Sequence, residues 1–193
     1  MNGREVLLGV SGGIAAYKAA ALASQLVQAG ARVTVAMTHS ATQLVAPKTF
    51  EALSGRPVLL EMFGPSPHPH IEAAQQAELM CIAPATANIL AKAAHGLADD
   101  LLSTLLLAFD GPLIMAPAMN CRMWAKPAVQ RNVAQLRADG VLFIDRLSPA
   151  NSLEVKESLA GLEREFEDDF SRGLIQDLPL IAARLAELEQ LRT

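Results

Sequence analysis

The sequence predicts a doubly wound α/β domain built on a parallel sheet. Two observations carry this. Short apolar runs recur at 5–10, 31–37, 79–83, 113–116 and 141–144, separated by stretches of helical spacing. Runs of that length, apolar on both faces, are what buried parallel strands look like. The chain also opens with strand, glycine turn, helix and strand over residues 5–37. Such a βαβ unit is right-handed and has parallel strands.

The elements follow in order. Glu5–Val10 (EVLLGV) is a strand that ends at Ser11-Gly12-Gly13. Ile14 to Gln28 carries Ala, Leu and Val at helical spacing, and Gly30 closes it. Ala31–Met37 is the second strand. Thr38 to Thr42 starts a helical stretch that Pro47 resets, and Gly55–Leu60 is a short strand. A proline-rich loop, FGPSPHPH, leads into a helix at His70–Ala77. Leu79–Ala83 is a strand that Pro84 breaks. Thr86–His95 and Asp99–Phe109 are helices, Leu113–Ala116 a strand, Lys126–Ala138 a helix and Val141–Ile144 the last strand. Residues 1–145 thus read as one domain. Residues 146–193 read as an appendage, an acidic segment followed by an amphipathic helix at Pro179–Leu191.

Composition narrows the function classes. With 51% hydrophobic and 19% charged residues, the 193-residue chain is apolar enough for a full core and too apolar for disorder. A net charge of −4 argues against a nucleic-acid or anionic-membrane surface. Two cysteines, Cys81 and Cys121, are too few for a disulfide scaffold and point to reducing cytosol. No uncharged apolar run reaches the ~20 residues that span a bilayer. The first residues run straight into a strand, so no signal peptide is expected.

Four constellations sit where strands end, the place where open α/β sheets bind ligands. Gly9-Val-Ser11-Gly12-Gly13-Ile14-Ala15 lies between a strand and a helix, where backbone N–H groups and the helix dipole favour an anion. Its spacing is neither GxGxxG nor a Walker loop, so a single phosphate, as in FMN, fits better than a dinucleotide. Thr38 and Ser40 stand ready to add hydroxyl donors. The plainer reading is a tight turn without a ligand. Pro84-Ala-Thr86-Ala87-Asn88 suits a crevice, or else Thr86 is only a helix cap and Asn88 faces water. His70 opens a helix and is a candidate general base, with His68 as competitor and a solvated surface histidine as the bland reading. In APAMNCRMW (116–124), Asn120 offers a donor and an acceptor between the apolar walls of Met119, Met123 and Trp124. Its alternative is a satisfied cap over core methionines. Cys121, at a helix start, is either a reactive thiol or a small filler, and Cys81 is core.

Together SGGIAAYKAA, HIE, APATANILAKAAHGLADDLLST and APAMNCRMW resemble the flavin-containing cysteine decarboxylases over residues 5–145. That family includes phosphopantothenoylcysteine decarboxylase of coenzyme A synthesis and the peptidyl-cysteine decarboxylases of lantibiotic pathways. The resemblance implies a flavodoxin-like fold, FMN, and a homotrimer or dodecamer with FMN at the contact between subunits. It implies phosphate contacts from Gly12, Gly13, Ile14, Thr38 and Ser40. It places the ring near Thr86, Ala87, Asn88 and Ala118. It makes His70 and Asn120 the active-site pair, with Asn120 and Met123 meeting the substrate. No metal is implied.

The implied chemistry needs these residue types. A cysteine carboxylate has no electron sink, so the flavin first oxidises the CH–SH unit to a thioaldehyde. The C=S group then accepts electrons as CO2 leaves, giving an enethiolate. His70 is the implied acid/base, and Asn120 holds the carboxylate and stabilises the enethiolate. The coenzyme A enzymes carry a mobile clamp with a cysteine that protonates the enethiol. Residues 146–193 contain no cysteine, and Glu163–Asp169 is acidic. The departure favours a peptide ending in cysteine, decarboxylated oxidatively to an aminoenethiol. Decarboxylation of phosphopantothenoylcysteine, with Cys121 in place of the clamp thiol, is the alternative. A non-catalytic FMN-binding regulatory subunit is a third reading.

Overall fold

The computed structural model describes residues 3–62 and 69–144, without the side chains of residues 69 and 70. The strands are β1 (Glu5–Val10), β2 (Arg32–Met37), β3 (Leu79–Ala85), β4 (Leu113–Pro117) and β5 (Leu142–Phe143). They form one sheet in the order β2-β1-β3-β4-β5, and every pairing is parallel. The order reverses between β1 and β3. Crossovers leave that point toward opposite faces and open a crevice at the strands' carboxyl ends.

The helices are α1 (Ala16–Gln28), α2 (His39–Thr42), α3 (Pro47–Ser54), α4 (Pro69–Gln76), α5 (Ala87–His95), α6 (Leu101–Ala108), α7 (Cys121–Trp124) and α8 (Pro127–Ala138). The sheet's apolar runs are buried by them. Leu7, Leu8, Met80, Ile82 and Met115 are sealed in the core, as are Leu102 and Leu105 of α6. A Cβ added at Gly9 would collide with Ile82 and Leu102, so α6 and β3 press directly on the β1 backbone. Burying each such Leu contributes roughly 1.5–3 kcal/mol.

Two predicted elements are corrected. Pro84 does not end β3. The strand continues to Ala85 across a register shift between Ile82 and Ala85, so the proline sits at an irregularity, where a missing ladder N–H is tolerated. The predicted strand at 55–60 is reduced to a single bridge, Leu59 to Ala36. Pro57 removes a donor there, and Arg56 turns inward instead. Its guanidinium donates bidentately to Glu5 at 2.7 and 3.1 Å and to the Thr34 hydroxyl at 3.0 Å. Beside this grip a cavity of about 230 Å3 opens between β1, β2 and α4. It lies at the amino edge of the sheet, away from the crevice. Among the described residues, no helix is long and apolar enough to cross a membrane. The segment 146–193, including the helix expected at Pro179–Leu191, lies outside the described residues, as does His68.

Candidate active site

Three loops converge at the carboxyl ends of β1, β3 and β4. The loop after β1 holds Ser11, Gly12 and Gly13. Ser11 is buried, and its hydroxyl donates to the Pro84 carbonyl at 2.7 Å. The same oxygen lies 3.0 Å from the Thr86 hydroxyl and accepts the Thr86 N–H at 3.1 Å. The loop after β4 joins through the Ala118 N–H, which donates to the Ala85 carbonyl at 3.0 Å. On the other side the Thr38 N–H donates to the Val10 carbonyl at 3.1 Å, which brings the start of α2 to the end of β1.

The glycines serve close approach. Neither Gly12 nor Gly13 has a positive φ. A Cβ on Gly12 would overlap the Ser40 Cβ, and one on Gly13 would lie 3.0 Å from the Thr86 methyl and 3.7 Å from the Ala118 carbonyl oxygen. Gly12 thus packs on Ser40, and Gly13 packs on Thr86 and Ala118. The Gly12, Ile14 and Ala15 N–H groups find no backbone acceptor among the described residues. Ser40 is exposed beside them, while the Thr38 oxygen caps α2 by accepting the Ala41 N–H at 3.2 Å. Free N–H groups ahead of a 13-residue helix, with a neighbouring hydroxyl, are a donor set that suits a phosphate.

The other predicted residues fall as follows. Thr86 precedes α5 as its N-cap residue but makes no side-chain cap bond, since its hydroxyl is engaged with Ser11. Ala87 is half-buried at the start of α5, and Asn88 is exposed. Ala118 is buried. Asn120 is exposed and caps α7, its Oδ1 accepting the Arg122 N–H at 2.8 Å. That bond fixes the amide, so Nδ2 keeps both of its donors for a ligand. Met123 is exposed on α7, and Cys121 is exposed beside Asn120. His70 stands in the first turn of α4. Only Ala77 and Glu78 separate α4 from β3, so His70 is at the end of α4 remote from the amino edge of the sheet. Its side chain lies outside the described residues.

Cys81 is sealed in β3, and burial pushes its thiol up to about 12. Two buried groups escaped the sequence reading. Ser11 was visible only as part of a glycine turn. Lys18 is buried at 2% exposure with its ammonium 5.7 Å from the Tyr17 ring centre. Its signal was its spacing: it lies three residues after Ala15 and four before Leu22, on the buried face of α1.

The Flavoprotein family model matches residues 1–168. The coenzyme A biosynthesis bifunctional protein CoaBC of Bacillus subtilis is 54% identical over 148 residues, covering 75% of this chain and 36% of that protein. The chain therefore spans about a third of the length of that relative. Among solved structures, the FMN-dependent cysteine decarboxylase SpaF is 39% identical with a TM-score of 0.70, over 73% of this chain and 83% of that one. A PPC decarboxylase variant complexed with pantothenoylaminoethenethiol is 31% identical with a TM-score of 0.66, over 76% and 84%.

Proposed function

Because the chain belongs to the Flavoprotein family, we propose that it is an FMN-dependent decarboxylase acting on phosphopantothenoylcysteine in coenzyme A biosynthesis. The observation that carries the substrate is the 54% identity to CoaBC, against 39% to SpaF. It turns the preference away from the peptide substrate that the missing clamp cysteine favoured. A cytoplasmic setting goes with that pathway.

The crevice supports a division of labour. The free N–H groups of Gly12 and Ile14, with Thr38 and Ser40, would hold the FMN phosphate, and Gly13, whose N–H donates to the Ser11 carbonyl at 2.9 Å, would let it approach closely. Thr86, Ala87, Asn88 and Ala118 would border the ring. FMN, when bound, supplies the electron sink that a cysteine carboxylate lacks, through oxidation of its CH–SH unit to a thioaldehyde. His70 would move the proton of that step. Asn120 would present its two Nδ2 donors to the carboxylate and then to the enethiolate as CO2 leaves. Met123 would supply an apolar wall. A homo-oligomer, trimer or dodecamer, would cover Ile14 and Tyr17, which leave apolar surface at 73% and 52% exposure beside the phosphate loop.

One observation favours a second reading, a peptide ending in cysteine: residues 146–193 carry no thiol to protonate the enethiol. Product masses decide between the two. The protein is incubated with FMN and either phosphopantothenoylcysteine or short cysteine-terminated peptides. Loss of CO2 alone from phosphopantothenoylcysteine is the expected result. Loss of CO2 plus two hydrogens from a peptide, with phosphopantothenoylcysteine untouched, would replace it by the second reading.

A further inference from the structure

We infer that Ser11 is a positioning residue: it locks the two lips of the crevice together and sets the polarity of the Thr86 hydroxyl. The inference rests on the FMN reading only for its effect on binding. A serine hydroxyl has one proton and two lone pairs. The shortest bond, 2.7 Å to the Pro84 carbonyl, takes the proton. The two lone pairs then receive the Thr86 N–H at 3.1 Å and, from 3.0 Å, the Thr86 hydroxyl. All three capacities of Ser11 are filled, at 2% exposure.

The consequence for Thr86 is directional. Its hydroxyl proton is spent on Ser11, so its oxygen can offer only lone pairs to a bound group. Its amide is spent on the same atom. Thr86 is thereby an acceptor, and its methyl is the side-chain atom nearest the space above Gly13. The bonds join loops 75 residues apart in sequence, at the point where the strand order reverses between β1 and β3. Ser11 acts through Thr86 and the loop backbone.

Ser11→Ala removes all three bonds, leaving the Thr86 amide unpaired and the Pro84 carbonyl with only the residue-11 backbone N–H at 3.4 Å. Ser11→Thr keeps the hydroxyl. Ser103→Ala is the control, since Ser103 is equally buried, at 1%, but serves the cap of α6. Hydrogen exchange of the Thr86 amide tests the lock without any cofactor. Exchange at least roughly tenfold faster in Ser11→Ala than in wild type or Ser103→Ala is expected, with recovery in Ser11→Thr. FMN titration and the flavin visible spectrum test the consequence. An FMN Kd weakened roughly tenfold and a shifted band in Ser11→Ala only are expected. Unchanged Thr86 exchange in Ser11→Ala overturns the lock. Faster exchange with wild-type Kd and spectrum overturns its role toward FMN. A wild-type protein that takes up no FMN overturns the functional reading, and the lock is then judged on exchange alone.

Discussion

Replacing Gly12 by alanine tests whether the proposed phosphate loop depends on close backbone packing. The backbone at Gly12 is not in the left-handed region, so a side chain adds no torsional strain. Space is the constraint. The new Cβ would overlap the Ser40 Cβ, and would lie 3.0 Å from the Ser40 carbonyl carbon and 3.2 Å from the Ala41 nitrogen. Backbone atoms cannot rotate away. Ala41 is sealed in the core, and its N–H is held by the Thr38 carbonyl at 2.9 Å and the Thr38 hydroxyl at 3.2 Å. Relief must therefore come from the 11–15 loop moving off α2, which separates the free amides from Ser40. Overpacking of this kind costs ~1–3 kcal/mol. Charged to the cofactor complex, that is about 5- to 150-fold in affinity. Urea unfolding of the apoprotein and fluorescence titration of FMN measure the two parts. Gly55→Ala is the comparison: with φ at +69° and open space around it, it loses about 1 kcal/mol of stability and no FMN affinity. Wild-type stability and affinity in Gly12→Ala would refute the packing argument, as would an equal loss of affinity in Gly55→Ala.

Two further predictions follow from charged and thiol groups. Burial disfavours the Asp100 charge, but hydrogen bonds from Lys92, at 2.5 Å, and from Ser103 outweigh it and hold the pKa below the usual Asp value. A depressed carboxylate adds stability above its unfolded pKa and loses it as pH falls through the folded value. Asp100→Asn keeps the helix cap and removes the charge, so a loss of about 1 kcal/mol is expected near pH 7, discounted for the side chain's 32% exposure. The gap to wild type should close as pH drops below ~4; a gap independent of pH would contradict it. A thiol reagent at pH 8 should modify Cys121 quickly in the folded chain and Cys81 only in denaturant, because the Cys81 thiol is buried and pushed up to about 12. Rapid reaction of both thiols would show that β3 opens.

The sheet was legible because its strands are mostly apolar runs, with polar residues such as Glu5, Arg32 and Thr34 toward their amino ends, and because helical stretches separate them. The tight turn between β1 and α1 was legible from its two glycines, and its role as an anion loop belongs to the proposal. What stayed hidden depends on distant partners. Ser11 takes its role from Pro84 and Thr86, 73 and 75 residues away, and a single serine beside two glycines carries no trace of that pairing. The extension of β3 through Pro84 depends on a register shift against β4, a property of the neighbouring strand. The reduction of the strand at 55–60 depends on Arg56 finding Glu5, 51 residues earlier. Asn120 fell between its two readings. It is the cap of α7, and that same cap bond orients the amide donors that the proposal assigns to a substrate carboxylate.

The choice of substrate turns on the fate of the enethiol, since the steps up to CO2 loss are common to both. Loss of CO2 alone requires a proton delivered to the enethiol carbon along with the returning hydride. Among the described residues Cys121 is the exposed thiol, and it adjoins Asn120, the residue proposed to hold the reacting group. Cys121→Ser therefore separates the remaining possibilities when phosphopantothenoylcysteine is the substrate. If Cys121 is the donor, the saturated thiol disappears and a product two hydrogens lighter accumulates in air, the flavin's electrons passing to O2. If the saturated thiol still forms at the wild-type rate, the donor lies elsewhere, and Cys121 is a surface residue of α7 with no part in the reaction. If wild type itself yields only the lighter product, the chain performs the oxidative half alone. The absence of a cysteine from 146–193 then accounts for the outcome, and the peptide reading displaces the one proposed here.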